Sequence, residues 1–124
     1  SGPENLKLFA GLYGQPDDEK TLDQILDRVG LGGVGIRPTS AYSRGMLQRL
    51  GLARLIVQDA RIWLMDEPTT GLDEAGRALL RDVLGEARER GRTLVAITHD
   101  VASFGDGLDQ VHRLERGRLV EGAS

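Results

Sequence analysis

Ile62-Trp63-Leu64-Met65-Asp66-Glu67-Pro68 runs four apolar side chains straight into two carboxylates and a proline. Its length and apolar content predict a buried strand over 61–66. Adjacent charges cannot sit inside such a strand, so Asp66 and Glu67 belong at its C-terminal end. A second apolar run at 93–98 predicts another buried strand. Between the two, Asp73 can cap a helix that carries Leu79, Leu80, Val83, Leu84 and Ala87 on one face and stops at Gly91. Strands buried on both faces and joined through a helix imply a parallel sheet. In open α/β sheets the C-terminal edge of the strands is where ligands bind.

Upstream of this unit the pattern is helical. Leu6, Phe9, Ala10 and Tyr13 recur at helical spacing over 4–13, and Gly14 and Pro16 end the run. Asp17 or Asp18 can cap a second helix with Leu22, Ile25, Leu26 and Val29 on its apolar face and Gly30 as its stop. The Gly-, Pro- and Ser-rich stretch 30–40 reads as a loop. Ser43 then caps a long amphipathic helix carrying Leu47, Leu50, Arg54 and Val57. At the other end, 110–121 reads as a hairpin turning at Arg116-Gly117, with His112 on its surface.

The 124 residues suffice for a single domain. A net charge of −3 gives no basic excess for binding nucleic acid or an anionic membrane through phosphates. Cysteine is absent, which removes disulfides, thiolate catalysis and Cys-based zinc sites. With His99 and His112 as the sole histidines, a His-rich metal site is not expected. No segment has the roughly 18 apolar residues of a membrane-spanning helix.

The residue types at the first strand's end suit phosphoryl chemistry. Asp66 offers a carboxylate oxygen, the ligand that Mg²⁺ takes directly or through water. Glu67 is suited to polarising a water for in-line attack on phosphorus. His99 follows the second strand and so falls on the same edge as Glu67. Taken alone, the carboxylates read equally well as an acidic turn, and the histidine reads more readily as structural.

Four pieces in order turn this pattern into a family resemblance. The run 64–73, Leu-Met-Asp-Glu-Pro-Thr-Thr-Gly-Leu-Asp, resembles the Walker B motif and D-loop of ABC-type ATPases. Tyr42-Ser43-Arg44-Gly45-Met46 stands where that family carries its signature, usually Leu-Ser-Gly-Gly-Gln, and Gln48-Arg49-Leu50 with Ala53-Arg54 continues it. Ala96-Ile97-Thr98-His99-Asp100 is similar to the switch-histidine segment. The resemblance spans about residues 4–122 and departs from the pattern at Tyr42, Arg44 and Met46.

The resemblance implies an α/β, P-loop NTPase-like fold: a helical subdomain plus part of a parallel sheet with flanking helices. It divides the chain into the first part of the helical subdomain (1–41), the signature motif and its helix (42–60), and the C-terminal part of the ATPase core (61–124). It implies ATP and Mg²⁺ as ligands. Asp66 would hold the metal, and Glu67 and His99 would be catalytic. Ser43 and Gly45 would face the γ-phosphate bound by a second nucleotide-binding domain. Arg44, which stands where the family has glycine, would either add a phosphate contact or block close approach, and Asp73 would lie at the dimer interface. A helix N-terminus suits that contact, because its unpaired N–H groups and partial positive charge favour an anion.

The phosphate-cradling pattern Gly-x-x-x-x-Gly-Lys-Ser/Thr does not occur; Gly32-Gly33-Val34-Gly35 has no lysine after it. The expectation is therefore the C-terminal half of a nucleotide-binding domain without its phosphate-loop strand, inactive by itself. The parent would be an ABC transporter ATPase at the cytoplasmic face of a membrane, coupled to a permease and paired with a second such domain. The 69–73 block and the signature variant look most like exporter-type subunits, with a haem exporter of cytochrome c maturation as one example. Two alternatives stand beside this reading: a non-transport ABC-type ATPase, and a non-catalytic assembly module.

Overall fold

The computed structural model describes residues 1–34 and 37–120. Gly35, Ile36 and Glu121, which belong to the expected loop and hairpin, lie outside the described residues. Helix α1 is Gly2–Leu12, α2 is Glu19–Arg28 and α3 is Arg44–Gln58. Strand β1 (Ile62–Asp66) leads into α4 (Glu74–Glu89) and β2 (Thr93–Ile97), and the hairpin β3 (Arg113–Glu115) and β4 (Arg118–Val120) follows.

The three N-terminal helices pack on one another. α1 starts two residues earlier than its apolar spacing indicates, because Ser1 supplies an N-cap to Glu4 N–H and Pro3 fits the first turn. Of the two candidate caps for α2, Asp18 is the one used: its carboxylate accepts from Thr21 N at 3.0 Å and from the Thr21 hydroxyl at 2.8 Å. Those bonds hold its pKa below the usual carboxylate range, the hydroxyl contributing most. Leu6 and Ala10 of α1, Leu22 and Leu26 of α2, and Leu50, Ala53 and Val57 of α3 bury together. Leu47 does not join them and is about half exposed, whereas Leu52 is buried in its place. Arg54 keeps its predicted face because its guanidinium lies 3.7 Å over the Phe9 ring, a cation–π contact.

β1 and β2 pair in parallel with Ile62 opposite Thr93 and Asp66 opposite Ile97. α4 packs against this pair through Leu80, Val83, Leu84 and Ala87. Trp63 and Met65 point into the core, and Trp63 Nε1 donates to Ala60 O at 2.9 Å. The expectation of burial on both faces fails. Ile62 and Leu64 are 59% and 71% exposed, and Val95 and Ile97 are 47% and 65% exposed. A two-residue period puts these side chains on the face away from α4, and the described residues supply no layer for that side. The hairpin forms as expected: Arg116 and Gly117 both have positive φ, the backbone of a two-residue I′ turn.

Candidate functional site

The C-terminal ends of β1 and β2 carry the two acidic residues and the histidine. Asp66 shares the uncovered face with Leu64, and among the described residues nothing hydrogen-bonds or ion-pairs its carboxylate. Glu67 follows the last residue of β1, and its side chain reaches the end of β2. Its Oε1 lies 2.8 Å from His99 Nδ1, so an Nδ1–H can donate to the carboxylate and leave Oε2 for another partner. The His99 ring is open to solvent and the Glu67 side chain is about one-third exposed.

Glu67 adopts φ +50°, left-handed backbone that a residue with a Cβ enters at a cost. Three hydrogen bonds fix it there. Its N–H donates to Ile97 O at 2.7 Å, continuing the β1–β2 ladder by one rung. Its carbonyl accepts from Thr70 N at 3.2 Å, and from the side-chain Nε2 of Gln48 at 3.0 Å. Sequence reading assigns no role to Gln48. The signal was the polar pair Gln48-Arg49 immediately before buried Leu50, which obliges both polar heads to find partners beside the core.

The start of α3 is closed by its own side chains. Ser43 Oγ accepts from Met46 N at 3.1 Å, and Ser43 N–H donates to Met46 Sδ at 3.5 Å, a capping box with sulfur in place of the usual carbonyl oxygen. Tyr42 is buried, and its hydroxyl accepts from Gly2 N at 3.1 Å, tying the signature segment to the beginning of α1. Arg44 lays its aliphatic stem over Gly71 and Gly45 meets the Gly71 carbonyl, so Cβ atoms built at those glycines would stand 2.6 Å from Arg44 Cγ and 2.8 Å from Gly71 O. Asp73 caps α4 through Gly76 N at 2.8 Å and has Arg49 Nη2 at 3.6 Å.

The structure thus brings Glu67 and His99 together, and sets Arg44 and Gly45 against Gly71 in the 69–73 segment that ends at Asp73. Among the described residues no hydrogen bond links Ser43 to Glu67 or His99. Neither does any group of three His, Cys, Asp or Glu side chains there form a metal cage. The Asp66 carboxylate, without a partner among the described residues, is the type of oxygen ligand that Mg²⁺ accepts. A groove of about 260 Å³ between α3, β1 and α4 is lined by Gln48, Met65, Asp66 and Leu72 but reaches neither Glu67 nor His99. No helix among the described residues is long and apolar enough to cross a membrane.

The family model described as ABC transporter matches residues 3–70. The chain is 36% identical over 120 residues to a fluoroquinolones export ATP-binding protein of Mycobacterium tuberculosis, covering 97% of this chain and 39% of that protein. It is 30% identical over 120 residues to a lantibiotic transport ATP-binding protein of Streptococcus pyogenes, covering 97% of this chain and 52% of that one. Among solved structures, CbiO1 of Clostridium perfringens, part of the ABC transporter complex CbiONQ, superposes with a TM-score of 0.72 at 29% identity, covering 97% of this chain and 49% of that chain. The fold is that of the ABC ATPases, and the chain belongs to the ABC transporter ATP-binding family. It spans about two-fifths to one-half of the length of these relatives.

Proposed function

We propose that this chain carries the signature and catalytic-carboxylate portion of an ATP-hydrolysing subunit of an ABC exporter. In this reading residues 1–41 and 42–60 are the helical subdomain and its signature helix, and 61–124 the C-terminal part of the ATPase core. The phosphate-gripping loop is contributed by sequence outside these 124 residues, so the chain by itself does not turn over ATP. The subunit pairs with a second nucleotide-binding domain and docks, peripherally, on a permease at the cytoplasmic face of the membrane. The relatives named for fluoroquinolone export and lantibiotic transport support outward transport and widen the cargo beyond haem to drug-like and peptide molecules.

The observation that carries the reading is the Glu67–His99 pair, 2.8 Å apart at the C-terminal ends of adjacent parallel strands. Glu67 accepts a proton from, or orients, a water through the oxygen that His99 leaves available, while His99 holds the carboxylate in one rotamer. Mg²⁺ at Asp66 would neutralise charge on the phosphate oxygens. Ser43 and Gly45 present the N-terminal end of α3 to the phosphate held by the partner domain.

The test is Glu67→Gln in the full-length subunit. The amide keeps shape but is a far weaker base, so phosphate release falls by about 10²-fold or more. ATP binding persists, and size-exclusion chromatography with ATP shows a trapped dimer. Asp66→Asn differs by weakening Mg²⁺-dependent nucleotide binding itself. Hydrolysis by Glu67→Gln at near wild-type rate removes Glu67 from the base role.

A further inference from the structure

We propose that Gln48 is a positioning residue for Glu67, aiming its carboxylate by fixing the peptide that follows it, and that Arg49 anchors the far end of the same loop at Asp73. The inference rests on the reading of Glu67 as the base, and it concerns how that base is held.

The direction of a residue's Cα–Cβ bond, from which its side chain starts, is fixed when both flanking peptides are fixed; at Glu67 the His99 contact then holds the carboxylate end. At Glu67 the preceding peptide is held by β2, through the 2.7 Å bond from Glu67 N to Ile97 O. The following peptide is held by α3, through the 3.0 Å bond from Gln48 Nε2 to Glu67 O. The Thr70 N–H also reaches that carbonyl, at 3.2 Å, but it belongs to the same turn and moves with it. Among the described residues no other side chain donates to Glu67 O. The partner is a carbonyl, so the Gln48 amide must present its NH₂. The restraint matters because Glu67 sits at φ +50°, where the backbone relaxes unless neighbours hold it.

Arg49, the next residue of α3, grips the other end of the loop. Its Nη2 lies 3.6 Å from Asp73 Oδ1, and its Nη1 donates to Val29 O, at the end of α2, at 3.0 Å. The Gly45 contact with Gly71 O closes the middle. One face of α3 therefore holds the start, middle and end of 67–73. A movement of this helix is passed to the Glu67 carboxylate through a single side-chain amide.

Two substitutions separate positioning from packing. Gln48→Met keeps length and bulk and removes the donor; Gln48→Lys keeps a donor on an unbranched stem. In this chain, amide hydrogen exchange is followed at Glu67 and Thr70, with Leu80 in α4 as the internal reference. Exchange in Gln48→Met is expected to rise about tenfold at Glu67 and Thr70, not at Leu80, and to return toward wild type in Gln48→Lys. In the full-length subunit the same Met variant is expected to lower kcat about tenfold with KM for ATP unchanged. Lys is expected to restore it, and Met is expected to add no further loss when combined with Glu67→Gln. Native exchange at Glu67 and Thr70 in Gln48→Met overturns the tether. Loosened exchange with unchanged kcat, in an enzyme that Glu67→Gln inactivates, overturns the positioning role. If Glu67→Gln itself leaves kcat intact, it is the base reading that has failed, and the exchange arm still decides whether Gln48 holds the loop.

Discussion

Gly45 and Gly51 lie in the same helix and differ in what a methyl group would meet, which makes them a matched pair. A Cβ at Gly45 would stand 2.8 Å from the carbonyl oxygen of Gly71, whereas one at Gly51 has nothing within 4 Å. Ordinary contact begins near 3.4 Å, so Gly45→Ala must push α3 and the loop apart by about 0.6 Å. The loop has little room to yield, since Thr70 N is bound to Glu67 O and Leu72 N to Thr69 O. Overpacking of this kind costs about 1–3 kcal/mol. Against it stands the intrinsic preference of a helix for Ala over Gly, at most about 1 kcal/mol and smaller in the first turn. The net expectation is destabilisation by about 1 kcal/mol for Gly45→Ala and stabilisation by about 0.5–1 kcal/mol for Gly51→Ala. A separation of about 2 kcal/mol corresponds to roughly 1 M in urea midpoint. Trp63, the single tryptophan and 1% exposed, reports the transition by fluorescence. If Gly45→Ala is as stable as Gly51→Ala with an unchanged slope, the close approach of α3 to Gly71 is wrong, and with it the idea that this glycine serves packing as well as the signature.

Ser43→Ala is expected to cost about 1 kcal/mol through loss of the cap to Met46 N, and Ser43→Asp to recover that stability. If Ser43 also faces phosphate, Asp restores the melting temperature but not phosphate release in the full-length subunit; recovery of both would leave it a cap and nothing more. Asp59 sits at φ +45° at the end of α3 and binds Arg92 through both oxygens and Arg90 through one, with the Arg92 bonds chiefly responsible for holding its pKa below the usual range. A depressed folded pKa stabilises above the unfolded value, near pH 4, and the gain disappears as pH falls through the folded value. Asp59→Asn, which tolerates the same backbone, is therefore expected to cost about 0.5–1 kcal/mol at pH 7, discounted for solvent screening, and much less at pH 2–3; a pH-independent cost in urea titrations would point to backbone strain instead.

Much of the fold could be read because each element carries its own local signal. Asp18, Ser43 and Asp73 are side chains that start helices by accepting a particular N–H, and Gly30 ends α2 at φ +77°. The Arg116-Gly117 turn follows from equally local chemistry, whereas the parallel pairing of β1 with β2 holds through the α4 crossover although the two-faced burial from which it is inferred does not. The order of apolar run, carboxylates and histidine brought Glu67 and His99 to one edge, since parallel strands must end on the same side. Two things could not be read. Apolar content does not say which faces of a strand are covered: Leu64 and Met65 are similar in hydrophobicity, yet one is 71% exposed and the other 7%. That outcome depends on which layers the rest of the fold supplies. The same limit explains Leu47, which satisfies the helical period yet is about half exposed in the first turn of α3.

The bonds that shape the candidate site were invisible for a different reason. Gln48 and Glu67 are nineteen positions apart and meet through a backbone carbonyl, an acceptor every residue has. No residue type at position 67 would have announced it. What the sequence does contain is an obligation. A helix that buries Leu50 and Ala53 must carry the polar heads of Gln48 and Arg49 to the rim of that core, and a half-buried amide or guanidinium there needs an acceptor. The nearest acceptors at that rim are the ends of elements: Glu67 O after β1, Val29 O after α2, and the Asp73 carboxylate before α4. Satisfying two polar side chains of α3 thus fastens the helix whose N-terminus carries the signature to the loop that begins at Glu67. Two of these three contacts, to Glu67 O and to Asp73, meet the packing requirement and couple the two motifs at once, while the third ties Arg49 to the end of α2.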